Sequence, residues 1–166
     1  LDYEEISSYD SDGNNTKDIY ISENNSDLAI LIDDDKGFEF LDVSDPSSPE
    51  YLWSYGNAIA HDIVEIGENI YAGSFKGYWD GHPDNDGTYN DVIRIFEPNL
   101  SADGSKKIFA EFDLFYDGIG YDDNYGYSIS LEYRESDNLL IAAANDPGIW
   151  LFLSLIHISE PTRQVL

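Results

Sequence analysis

Asp18-Ile-Tyr-Ile-Ser22, Leu28-Ala-Ile-Leu-Ile-Asp33, Gly37-Phe-Glu-Phe-Leu-Asp-Val43 and Pro49-Glu-Tyr-Leu-Trp-Ser-Tyr55 follow one another with only short connections between them. The runs are rich in β-branched and aromatic residues. The connections hold Gly, Asn, Asp, Ser and Pro, so the pattern is one of strands and tight turns. The same order of features returns in His61-Asp-Ile-Val-Glu-Ile-Gly67, Asn69-Ile-Tyr-Ala-Gly-Ser-Phe75, Asp91-Val-Ile-Arg-Ile-Phe96 and Lys106-Lys-Ile-Phe-Ala-Glu-Phe112. It begins a third time in Tyr125-Gly-Tyr-Ser-Ile-Ser-Leu-Glu-Tyr133, Asn138-Leu-Leu-Ile-Ala-Ala-Ala144 and Gly148-Ile-Trp-Leu-Phe152.

Asp18 and Asp62 stand 44 positions apart, a period suited to a four-stranded repeat unit. Asp62 and Tyr127 stand 65 apart, because the second unit carries an insertion at 76–90 and a smaller one at 99–105. The second runs of each unit are continuously apolar, as expected of strands covered on both faces. These features predict an all-β chain, a β-propeller fragment of about three four-stranded antiparallel blades with the last incomplete. The expected division is 1–16 as outer strand and loop of a preceding blade, 17–57 as one blade, 58–116 as a blade with a long insertion, and 117–152 as a truncated blade. Tyr3 to Tyr9 has the character of the strand at Tyr51 to Tyr55, hence its place in a preceding blade. A β-sandwich also spaces short strands in this way. The recurrence of one strand character at each place in the unit favours the propeller.

Gly37-Phe-Glu-Phe-Leu-Asp-Val-Ser-Asp-Pro-Ser-Ser-Pro-Glu-Tyr-Leu52 resembles the LVIVD repeat of bacterial and archaeal cell-surface proteins, with its glycine, alternating apolar strand and Asp-Val-Ser-x-Pro-x-x-Pro turn. The second unit keeps the strand at Val92 to Phe96 and replaces the double-proline turn by Glu97-Pro98-Asn99-Leu100. The resemblance implies a propeller at the cell surface or outside the cell, and it implies no reaction. The stretch 153–163 resembles an in-frame translation of a transposase-type sequencing adaptor, codon by codon. Residues 153–166 are therefore expected to be an adaptor-derived tail outside the native fold, and the chain to be a piece of a longer protein.

Thirty-four acids oppose 8 bases, for a formal net charge of −26. Phosphate binding draws on Lys and Arg, so nucleic acid is excluded as a partner class, and anionic membrane surfaces are disfavoured likewise. No apolar run reaches the ~20 residues of a membrane-spanning helix. There is no cysteine, which removes disulfides, thiolate metal sites and a Cys nucleophile. No Gly-x-Ser-x-Gly, His-Glu-x-x-His or phosphate-binding glycine loop occurs. His61 and Asp62 open an inner strand, but neighbours along a strand point to opposite faces. The insertion Tyr78-Trp-Asp-Gly-His-Pro-Asp-Asn-Asp-Gly-Thr-Tyr-Asn-Asp91 is richest in chemistry. Asp80, Asp84, Asp86, Asn90 and Asp91 offer the hard oxygens that calcium takes, although no Glu closes an EF-hand spacing. Tyr78, Trp79 and Tyr89 offer faces for a sugar ring or a protein's apolar patch. Turn geometry alone also selects Asp, Asn and Gly there, as it does at 10–15 and 117–123. The expected function is a non-enzymatic extracellular or cell-surface module binding a protein or glycan, with calcium as a stiffening ion. The alternative is a hydrolase or lyase with its active site in a central channel.

Overall fold

The computed structural model describes residues 5–11, 15–34, 36–55, 59–77, 90–98, 100, 106–113, 129–144 and 148–153. Within them the chain is all-β and folds into three antiparallel sheets. The first sheet holds β1 (Thr16–Ile21), β2 (Leu28–Asp33), β3 (Gly37–Asp42) and β4 (Glu50–Tyr55). The second holds β5 (Ile59–Gly67), β6 (Ile70–Gly77), β7 (Asn90–Pro98) and β8 (Lys106–Asp113), and the third β9 (Ile129–Arg134), β10 (Leu139–Ala144) and β11 (Gly148–Leu153). In every sheet the spatial order of strands is the order in the chain. Residues 5–11 form no strand, and Ser7 Oγ donates to the carbonyl of Pro46. Leu153, the first residue of the expected tail, closes β11 opposite Leu139. The rest of that tail lies outside the described residues.

One register recurs in all three sheets. Asn69 and Asn138 take left-handed backbone (φ 55° and 53°) immediately before β6 and β10, turning the chain out of the preceding strand. Asn tolerates that region better than other side-chain-bearing residues. Counting from these turns, Ile21 opposite Ala29, Glu65 opposite Tyr71 and Tyr133 opposite Leu140 are equivalent pairs. By the same count Asp18 matches Asp62 and Ser130, so the third unit begins later in the chain than Tyr127 suggests. Gly37 and Gly148 open β3 and β11 at equivalent places, both at positive φ (79° and 90°). That conformation explains why the repeat begins these strands with glycine. The pairing slips by one residue after Phe40 in the first sheet and after its equivalent Ile95 in the second.

The sheets stack face on face. Leu28, Ile30, Ile32, Phe38, Phe40, Trp53 and Tyr55 of the first meet Ala60, Ile63, Tyr71, Phe75, Val92 and Phe96 of the second. Tyr55 and Phe96 stack with centroids 4.5 Å apart, and Phe38 meets Phe75 edge-on at 4.9 Å. A fully buried aromatic of this kind stabilises by about 1.5–3 kcal/mol, so this layer is the main core. Gly73 leaves room for the Phe38 ring: a Cβ there would fall 2.5 Å from Phe38 Cε2. The opposite face of the second sheet packs Ala72, Ile93 and Ile95 on Ile129, Leu131, Leu140 and Ala142 of the third. The alternation of β6 and β7 thus serves two interfaces at once, which is why apolar residues lie on both faces of each strand.

The turn between β3 and β4 gives the proline-containing motif its reason. Asp42 Oδ1 accepts the Ser44 N–H (2.9 Å), and Asp45 Oδ1 accepts the N–H (2.9 Å) and hydroxyl (2.6 Å) of Ser47. The hydroxyl and then the N–H of Ser44 hold Asp42, and those of Ser47 hold Asp45, below the usual carboxylate range. They supply acceptors within a connection that Pro46 and Pro49 keep from continuing the ladder.

Candidate functional site

The first strand of each sheet is bonded on one side only, so alternate N–H groups along β1, β5 and β9 have no ladder partner. Aspartates meet that need. Asp18 Oδ1 accepts the Ile19 N–H at 2.8 Å, and Asp62 Oδ1 accepts the Ile63 N–H at 2.8 Å. In the third sheet Ser130 holds the equivalent position, and Asp62 reaches across with its other oxygen to accept the Leu131 N–H at 2.7 Å. Burial raises the Asp62 pKa, the two backbone N–H groups oppose that rise, and Asp18 and Glu132 add to it. Asp62 is therefore a carboxylate tying two sheets together. Ser74 makes a second tie by donating to the Ile129 carbonyl at 2.9 Å.

Near the far end of these strands Glu65, almost buried, performs the corresponding task toward the first sheet. Its Oε2 accepts the Ser22 hydroxyl (2.8 Å) and the N–H groups of Glu23 (3.0 Å) and Asn24 (3.3 Å). Its own N–H donates to Tyr20 Oη at 3.4 Å. The same acceptor thus fixes the β1–β2 connection and seats it on β5. Burial raises the pKa of Tyr20 and, more strongly, of Tyr71, whose hydroxyl bonds Ser22.

Beside this junction lies a cleft of roughly 340 Å³ where all three sheets contribute. Tyr20, Glu23 and Asn24 come from the first sheet, Val64 to Gly67 from the second, and Glu132, Tyr133, Glu135 and Asn138 from the third. The Tyr133 hydroxyl donates to Asn138 Oδ1 at 2.9 Å, and burial and then Glu135 raise its pKa. Phenols stay neutral there at ordinary pH, while Glu23, Glu132 and Glu135 are solvent-exposed acids. The cleft can accept hydrogen bonds and attract positive charge, and it presents few donors.

Arg94 is the one buried base among the described residues. Its Nη1 donates to Tyr55 Oη of the first sheet at 3.1 Å, and its Nε donates to Glu111. It is occupied as a structural tie.

Of the residues singled out by sequence, Tyr78, Trp79, Asp80, Asp84, Asp86 and Tyr89 lie outside the described residues. Asn90 and Asp91 open β7 opposite Gly77 and Lys76. Among the described residues no group of three or more His, Asp or Glu is placed to hold a metal ion. His61 sits in β5 at the irregularity between Ala60 and Asp62. Glu65, Tyr20 and Tyr133 were not among the sequence candidates. Their one signal was polarity inside first-strand runs such as Asp62-Ile-Val-Glu-Ile66. No family model, curated protein or solved structure matches the chain.

Proposed function

We propose that the chain forms an arc of a β-propeller of the LVIVD-repeat kind, acting outside the cell or at its surface as a non-enzymatic binding module. The observation that supports this reading is the recurrence of one register in three successive sheets that stack face on face. Propeller blades are four-stranded meanders placed side by side around an axis, with their first strands innermost. In such an arrangement the cleft where β1, β5 and β9 meet would open at the mouth of the central channel. Its ligand would be a protein segment carrying Lys or Arg, drawn by the exposed carboxylates and packed against Tyr20 and Tyr133.

Titration of the chain with a short Lys/Arg peptide and, separately, with neutral oligosaccharides tests this. The expected result is salt-sensitive peptide binding that weakens at least about tenfold in Glu132→Gln/Glu135→Gln and in Tyr133→Ala. Oligosaccharide binding that depends on Tyr133 but ignores salt would make the partner a glycan. Binding of neither would remove the cleft from the proposal.

The alternative of a channel hydrolase or lyase draws on the raised pKa of Asp62, a property also found in catalytic acids. Both Asp62 oxygens are engaged by backbone N–H groups, however, and that favours the structural role.

A further inference from the structure

Glu65 has one carboxylate oxygen that its role as a tie between sheets leaves over. The residue is 8% exposed, yet it forms part of the wall of the cleft that the three sheets share. Oε2 takes every donor: the Ser22 hydroxyl and the N–H groups of Glu23 and Asn24. Oε1 accepts no hydrogen bond among the described residues. A carboxylate oxygen held largely out of water without a donor is costly. The repeat does not ask for a carboxylate here, because the equivalent positions hold Ile21 and Tyr133. Three bonds to Oε2 therefore fix in place a second oxygen that is left for a donor entering the cleft.

We infer that Glu65 Oε1 is the seat of a primary ammonium group, from a lysine side chain or a chain's amino terminus, and that it selects against guanidinium. The inference rests on the cleft binding a basic segment, as proposed above, and names the group that is read there. A guanidinium pairs best through two parallel N–H···O bonds to both oxygens of one carboxylate. Glu65 cannot receive it in that way, because Oε2 already takes three bonds within the chain. An ammonium is a compact charge with three donors that turn freely. One donor suffices for Oε1, and the others stay toward the rim, where Glu23, Glu132 and Glu135 are exposed. Tyr20 and Tyr133 on the same wall attract either cation through their rings, and the exposed acids steer both from a distance. Neither feature sets the choice between them. The single free oxygen of Glu65 does.

NMR titration of the full chain with three peptides of one Gly/Ser frame is the experiment. One is N-acetylated with three lysines, one N-acetylated with three arginines, and one has a free amino terminus and neither residue. The lysine peptide is expected to bind at least about fivefold more tightly than the arginine peptide. Binding by the third peptide at equal strength would make the natural donor an amino terminus and keep Glu65 as its seat. In Glu65→Gln the amide oxygen can take the place of Oε2 and turn its NH2 to the cleft, so the preference should vanish while the junction stays. Slow hydrogen exchange at the Glu23 and Asn24 amides would show that it has stayed. Glu132→Gln should weaken both charged peptides alike. An arginine peptide that matches or exceeds the lysine peptide on the wild-type chain overturns the inference, whether or not the variant folds. So does a lysine preference that survives in a folded Glu65→Gln. Binding of no peptide sinks the basic-segment reading and this inference with it, whereas equal binding of lysine and arginine sinks this inference alone.

Discussion

Asp62 shows how a single side chain can be costly and structural together. Burial disfavours its charged form, yet that form accepts two backbone N–H groups from two different sheets. Asp62→Asn keeps one acceptor oxygen and leaves one of those N–H groups unsatisfied, a loss of about 1–3 kcal/mol. The pH dependence has a definite sign. The folded pKa lies above the ordinary 3.8, so the folded chain binds this proton more readily than the unfolded chain. Wild type should therefore gain stability relative to Asp62→Asn as pH falls from the folded value toward 3.8. Urea unfolding of both proteins across that interval measures the gap. A gap that narrows with falling pH would contradict the burial described for Asp62.

At the scale of the element, β6 is built to carry two interfaces. Tyr71 and Phe75 face the first sheet and Ala72 the third, while Gly73 yields its space to the Phe38 ring. Gly73→Ala should destabilise by about 1–3 kcal/mol, since the clash falls on a ring held between Phe75 and Phe96 and not on a flexible chain end. Pairing it with Phe38→Leu should recover part of the loss, and denaturant midpoints of the two variants would show it. Full additivity of the two substitutions would mean that the contact does not limit β6. The element also explains what the sequence made legible. Strand identity was readable along β2, β3, β6 and β10 because both faces are apolar and the turns carry Gly, Asn or Asp. Glu65 was not readable as a tie between sheets, because its partners Ser22 to Asn24 are some forty residues away and belong to another sheet.

For the whole molecule, 34 acids are set against 8 bases on a stack of sheets with mostly apolar interfaces. Self-repulsion of that charge works against the compact state, and added salt screens it. Sodium chloride should accordingly raise the melting temperature. If Asp80, Asp84, Asp86, Asn90 and Asp91 hold calcium, as the sequence leads one to expect, calcium should raise it further than magnesium at matched ionic strength, because magnesium keeps its waters and demands tighter octahedral geometry. Calorimetry with the three salts separates the two effects. Equal shifts with calcium and magnesium would leave screening alone and strike the calcium site.

The sequence by itself determined the strands of the three sheets and their order, although the strand expected at Tyr3 to Tyr9 does not form within residues 5–11. Those features follow from local chemistry: alternation or continuity of apolar residues, glycine where φ is positive, and Asp and Ser where a turn needs acceptors. Only the tertiary structure decided which face of each sheet meets which neighbour, that Ser130 and not Tyr127 takes the place of Asp62, and that Tyr20, Glu65 and Tyr133 share a cleft. Those outcomes depend on register across hydrogen-bonded strands and on packing between sheets. Both bring together residues whose separation in the chain carries no local signal.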